Sequence, residues 1–92
     1  SALAGVRFGP LDDGNRQRFE ITDSVQEGLV VTDVDRSSLA ARAGLRPGDV
    51  VVEVNRRGVG SIAELNDATR DGERTLLLIV RGAQTVYMVI RG

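Results

Sequence analysis

The sequence predicts an α+β domain: five or six strands in a small sandwich or partly open barrel, capped by two helices. Three observations carry that prediction. Aliphatic, largely β-branched runs stand at 29–34, 50–54, 74–80 and 85–91, the composition that strands favour. Between the first two runs, Ala40-Ala41-Arg42-Ala43-Gly44-Leu45-Arg46-Pro47-Gly48-Asp49-Val50-Val51 reads as a short helix, a glycine stop, a tight turn and a buried strand. Ser61-Ile62-Ala63-Glu64 is a capping box that opens a second main helix. Ninety-two residues suffice for one core and not for two, so 1–92 is a single domain.

In chain order, 3–8 reads as a first strand, stopped by Gly9-Pro10. The chain opens inside that strand pattern, which predicts a piece of a longer protein. Asp12 or Asp13 caps a short helix over 15–20, and 23–28 is turn-like. After the strand at 29–34, Ser37 or Ser38 caps a helix over 39–43. Gly44 takes its left-handed C′ position, and Pro47-Gly48 forms the reverse turn that follows. In the strand at 50–54, strict alternation points Val50, Val52 and Val54 one way and Val51 and Glu53 the other. Arg57-Gly58 is a turn. The helix from Ser61 has its apolar stripe at Ile62, Leu65 and Ala68 and stops near Asp71-Gly72. The run at 74–80 is aliphatic enough for a strand covered on both faces. Gly82-Ala83 turns it back into 85–91.

Composition excludes several functions. The formal net charge is −1, with 12 basic residues, all arginine, against 13 acids. That balance, with few aromatics, gives no field or stacking platform for nucleic acid. It also predicts a monomer without a large exposed apolar patch. Without His, Cys or Lys there is no Ser-His-Asp, Cys-His or Ser-Lys nucleophile and no His- or Cys-built zinc site. Asp12-Asp13-Gly14-Asn15 misses the calcium-loop spacing and reads as a helix cap. No catalytic residue, metal or cofactor is expected. No apolar run is long enough for membrane insertion, and none reads as a secretory leader.

The series helix, A-G-L, x-P-G-D, aliphatic strand and Asn55 resembles the signature of a PDZ domain. With a groove strand near the start and the hairpin last, the element order is similar to the circularly permuted PDZ domains of bacterial proteases. Ser61-Ile62-Ala63-Glu64-Leu65, followed by Ile79-Val80-Arg81-Gly82, is similar to the second PDZ domain of the DegP/HtrA (protease Do) serine endopeptidases. The resemblance implies a peptide-binding module of a periplasmic protease in protein quality control. Its catalytic domain would lie outside this chain. The same fold serves C-terminal processing proteases, membrane metalloproteases and type II secretion components, which remain alternative hosts.

PDZ domains bind extended peptides, usually C-termini, by adding a strand to a sheet edge. The resemblance places that edge at Gly5-Val6-Arg7-Phe8. It places the carboxylate loop, X-Φ-G-Φ with Φ apolar, at Leu3-Ala4-Gly5-Val6. There Gly5 would let the backbone approach the ligand, and amides would supply the positive end of the contact. The groove-facing helix positions are Ile62, Asn66 and Thr69. Ala4 is smaller than the pattern prefers, and Asn66 and Thr69 are polar where apolar walls are usual. Read without the resemblance, Gly5 is an ordinary strand glycine. The implied partners are unfolded polypeptides, protein C-termini or neighbouring subunits of the parent protease, since second PDZ domains of this family are implicated in assembly.

Overall fold

The computed structural model describes residues 2–70 and 74–91. Its elements are β1 (Val6–Pro10), α1 (Asp13–Phe19), β2 (Leu29–Val34), α2 (Leu39–Ala43), β3 (Val50–Val54), β4 (Arg57–Gly58), α3 (Ile62–Thr69), β5 (Arg74–Arg81) and β6 (Gln84–Arg91). One antiparallel sheet runs in the order β1-β2-β3-β5-β6, with β4 off this path and paired to β3. The sheet is open, so β1 and β6 are its edges.

Local chemistry accounts for most boundaries. Asp12, Ser38 and Ser61 each accept an amide hydrogen bond from the third residue onward and start α1, α2 and α3. Gly44 ends α2 at φ 103°, a conformation that costs a residue without Cβ nothing. The box at α3 is displaced by one residue from the expected form. The Glu64 carboxylate accepts from the Gly60 amide at 3.0 Å, while Ser61 Oγ accepts from Glu64 N at 3.2 Å. Gly82-Ala83 forms the two-residue turn between the paired Arg81 and Gln84. The expected helix stop at Asp71-Gly72 lies outside the described residues.

Other expectations are corrected. The first strand begins at Val6, after a turn over 2–5, and continues through Gly9 to Pro10. Proline is tolerated because it is the last residue of an edge strand. Arg57–Gly58 pairs with Glu53 and Val54 across a turn in which Asn55 and Arg56 both have positive φ. Strict alternation fails in β3. A bulge lets Val51 and Glu53 face Ile79 and Leu78 in succession, leaving Val52 as the extra residue. Val54 therefore joins Val51 in the main core, and Val50 and Val52 serve the other face.

Two apolar clusters hold the sheet. The main one joins Leu29, Val31, Val51, Leu77, Ile79 and Ile90 to α2 and α3 through Ala40, Leu65 and Ala68. The smaller one covers the opposite face over β2 and β3, where Val25, Phe19 and Ile21 pack on Val30 and Val50 and reach Val80. Beyond Val80 that cover stops. Leu76 and Leu78 are half-buried there, and their cross-strand neighbours Val89 and Tyr87 are 48% and 65% exposed. Hence β5 is not covered on both faces along its length. Strand pairing thus gathers on this face apolar residues that are scattered in sequence.

Two polar clamps lock this arrangement. Asp49 of the turn motif is 1% exposed. Its carboxylate accepts from Arg81 Nε and Nη2, each at 2.8 Å, and from the Arg46 amide at 2.9 Å. Arg81 Nη2 also donates to Gly44 O at 2.9 Å, so one ion pair ties the end of α2, the turn and β5. The hydrogen bond to Asp49 raises the Arg81 guanidinium above its usual range against the opposing effect of burial. Asn55 is the second clamp. Its Nδ2 donates to Ala68 O at 2.8 Å and its Oδ1 accepts from Leu76 N at 2.9 Å, fixing the C-terminal end of α3 against β5.

Candidate functional site

A groove of about 280 Å³ lies between β1 and α3, lined by Leu3, Ala4, Val6, Phe8, Ile62, Leu65, Asn66 and Thr69. Alternation along β1 supplies Val6 and Phe8 and turns Arg7 to the exposed side. One turn spacing along α3 supplies Ile62, Leu65, Asn66 and Thr69. Ile62 is 49% exposed and forms the rim of the groove, while Leu65 and Ala68 of the same stripe are buried. Leu65, assigned by its spacing to the core alone, also reaches the groove floor.

Seven of the nine residues selected from the sequence meet in this groove. Gly5 and Arg7 do not. They line a separate depression of about 410 Å³ with Val6, Asp33 and Asp35, on the other side of β1. Gly5 also has a requirement of its own. At φ +84°, a Cβ would come within 3.0 Å of Asp35 Cβ and 3.1 Å of Ser38 Cβ. The glycine is thus demanded by its own chain before any ligand is considered.

The turn leading into β1 is closed by Val6 N donating to Leu3 O at 3.2 Å and held by Asp35 N donating to Gly5 O at 2.9 Å. Among the described residues, no backbone acceptor meets the amides of Ala4 and Gly5, and both residues are exposed. Behind them Asp35 accepts from the Ser37 amide at 2.9 Å and from Ser37 Oγ at 2.8 Å. These bonds, backbone first, hold its carboxyl below the usual aspartate range. Polarity inside the groove is less than the residue types imply. Thr69 Oγ1 donates to Leu65 O at 3.0 Å and to Asn66 O at 3.3 Å, so its hydroxyl is spent on the helix backbone.

Other features offer less. A larger depression of about 520 Å³ lies between 22–27 and the β5–β6 turn, away from every selected residue. Among the described residues there is no group of His, Cys, Asp and Glu that could hold a metal ion. No helix among them is long and apolar enough to cross a membrane.

Comparison with known proteins gives this geometry a lineage. A family model described as PDZ domain matches residues 30–81. The chain is 40% identical over 81 residues to a probable periplasmic serine endoprotease DegP-like of Bartonella henselae, covering 84% of this chain and 14% of that protein. It is 38% identical over 93 residues to the periplasmic pH-dependent serine endoprotease DegQ of Escherichia coli, covering 98% and 18%. The chain thus spans less than a fifth of these curated relatives. Among solved structures, the HtrA3 PDZ domain bound to a phage-derived ligand (FGRWV) superposes with a TM-score of 0.80 at 26% identity, over 95% of this chain and 81% of that one. The HtrA-type protease AlgW with decapeptide gives a TM-score of 0.79 at 26% identity, over 95% and 27%. The chain belongs to the PDZ domain family and is homologous to the non-catalytic PDZ region of DegP/HtrA proteases.

Proposed function

We propose that the groove captures an extended peptide, by preference a free C-terminus, by adding it as a strand beside β1. The observation that carries this reading is the conjunction at one edge. Among the described residues β1 pairs only with β2, an apolar-walled groove follows its free side, and the Ala4 and Gly5 amides at its entrance meet no backbone acceptor. An unpaired edge supplies backbone hydrogen bonds, and the groove takes alternate side chains. The Ala4 and Gly5 amides would receive the carboxylate. The solved relatives named above carry a phage-derived peptide and a decapeptide, which supports the same use here.

The parent would be a periplasmic serine endopeptidase of DegP type, and this module its second PDZ domain, holding unfolded or truncated substrates for quality control or touching a neighbouring subunit. The DegP-like and DegQ relatives favour that host over the other envelope systems that carry permuted PDZ domains.

An NMR titration tests the groove. A peptide ending in a free apolar residue should shift Val6, Phe8, Ile62 and Asn66, with a Kd of about 0.1 mM or weaker, roughly −5.5 kcal/mol. The shallow floor and exposed Asn66 set that limit. Amidating the C-terminus should weaken binding. If saturating peptide moves none of these resonances, the groove is vestigial and contact between subunits becomes the better reading of this module.

A further inference from the structure

The other edge of the sheet has no role in that reading. β6 has eight residues, an edge about 27 Å long at the usual rise per residue. Among the described residues it pairs with β5 alone, and no backbone hydrogen bond leaves its far side. Natural proteins blunt such edges with proline, bulges, central charges or short length. β6 has none of these. Its register with β5 is unbroken from Arg74 and Arg91 to Arg81 and Gln84, and its only charge is the terminal Arg91. The exposed face beside this edge is the apolar patch of Leu76, Leu78, Tyr87 and Val89.

The strand is also self-complementary. Pairing two copies of β6 antiparallel about Met88 sets Tyr87 opposite the partner's Val89, and Thr85 opposite the partner's Arg91, all on the exposed face. An aromatic facing a β-branched residue is a stabilising cross-strand pair. The two Arg91 charges then stand about 20 Å apart along the strands, beyond the range at which surface charges repel strongly. We propose that this edge is an interaction surface for a second copy of the chain, joined β6 to β6 into one continuous sheet. This inference does not rest on the groove binding peptide.

Sedimentation equilibrium of the 92-residue chain, from about 10 µM to 1 mM, should show a monomer–dimer equilibrium in that range. Tyr87→Lys together with Val89→Lys sets like charges opposite each other and should raise the dissociation constant at least about tenfold. Val89→Glu and Tyr87→Lys chains should each associate poorly alone and recover when mixed, because that register sets Lys against Glu. All these positions are exposed, so circular dichroism should be unchanged. Hydrogen exchange on the unaltered chain gives a second measure, since β6 amides should gain protection with concentration and β1 amides should not. A chain monomeric up to 1 mM, a dimer indifferent to the double substitution, or β6 protection independent of concentration would each overturn the proposal.

Discussion

The two edges of this sheet are built by opposite rules. β1 has five residues, ends in Gly9-Pro10, carries the exposed charge of Arg7, and meets β2 through a register shift between Arg7 and Phe8. β6 is longer and unbroken, with Tyr87 and Val89 at the centre of its exposed face. A short, guarded edge beside a groove suits brief capture of a few extended residues. A long unguarded edge beside an apolar patch suits a partner as long as itself. The difference teaches that an open sheet is not uniformly adhesive, because side chains decide what each edge can receive.

The largest effect that could break this comparison is loss of the clamp common to the whole sheet. Asp49→Ala removes a buried carboxylate and leaves Arg81 without its partner, which should cost about 3 kcal/mol in a urea titration. The loss should appear at both edges together. Unfolding of β6 alone would mean that the edges are separate cooperative units.

Asn55→Gly should separate the edges. It keeps the positive φ of that residue and its backbone bond to Leu76, and deletes the side-chain bonds to Ala68 O and Leu76 N, at about 2 kcal/mol. Resonances of α3 and peptide affinity should suffer, while exchange protection in β6 should change only as global stability does. Thr69→Leu acts on the groove alone. Its added methylenes should tighten binding of a peptide with an apolar C-terminus by about 1 kcal/mol, read by NMR titration, and leave association through β6 untouched.

The smallest effect is in acid. The carboxyl of Asp35 titrates below its unfolded value because Ser37 donates to it. Its contribution to stability is therefore present above the unfolded value and is lost as pH falls through the lower folded value. The group is fully exposed, so the loss should be slight and local. Acidification should shift Gly5, Ser37 and Ser38 resonances before those of β6, and Ser37→Ala should move that titration to higher pH.

The strands β2 and β3 and the helix α2 were legible at their observed boundaries because each is set locally, by β-branched runs, a serine cap and a left-handed glycine. The groove walls were legible at Val6, Phe8, Ile62, Asn66 and Thr69 through the family resemblance. What was not legible depends on distant partners. Pro10 breaks a central strand but not an edge, and edge position is a property of the whole sheet. Asp49 and Arg81 are 32 residues apart, and no local pattern joins them. Thr69 counted as a polar wall until its hydroxyl could be traced to the helix backbone. Tyr87 and Val89 looked like ordinary strand residues until pairing brought them beside Leu78 and Leu76.

The bulge in β3 has a consequence for how this chain can change length. Val52 is the extra residue, so deleting it would leave Val51 and Val54 on the core face and Glu53 on the other. Elsewhere in a strand, removing one residue inverts every side chain beyond it. At Val52 the local losses are its packing in the smaller cluster and its carbonyl, which accepts from Val59 N at 3.1 Å. In evolutionary terms, β3 contains a position where a descendant could lose a residue without rewriting the main core.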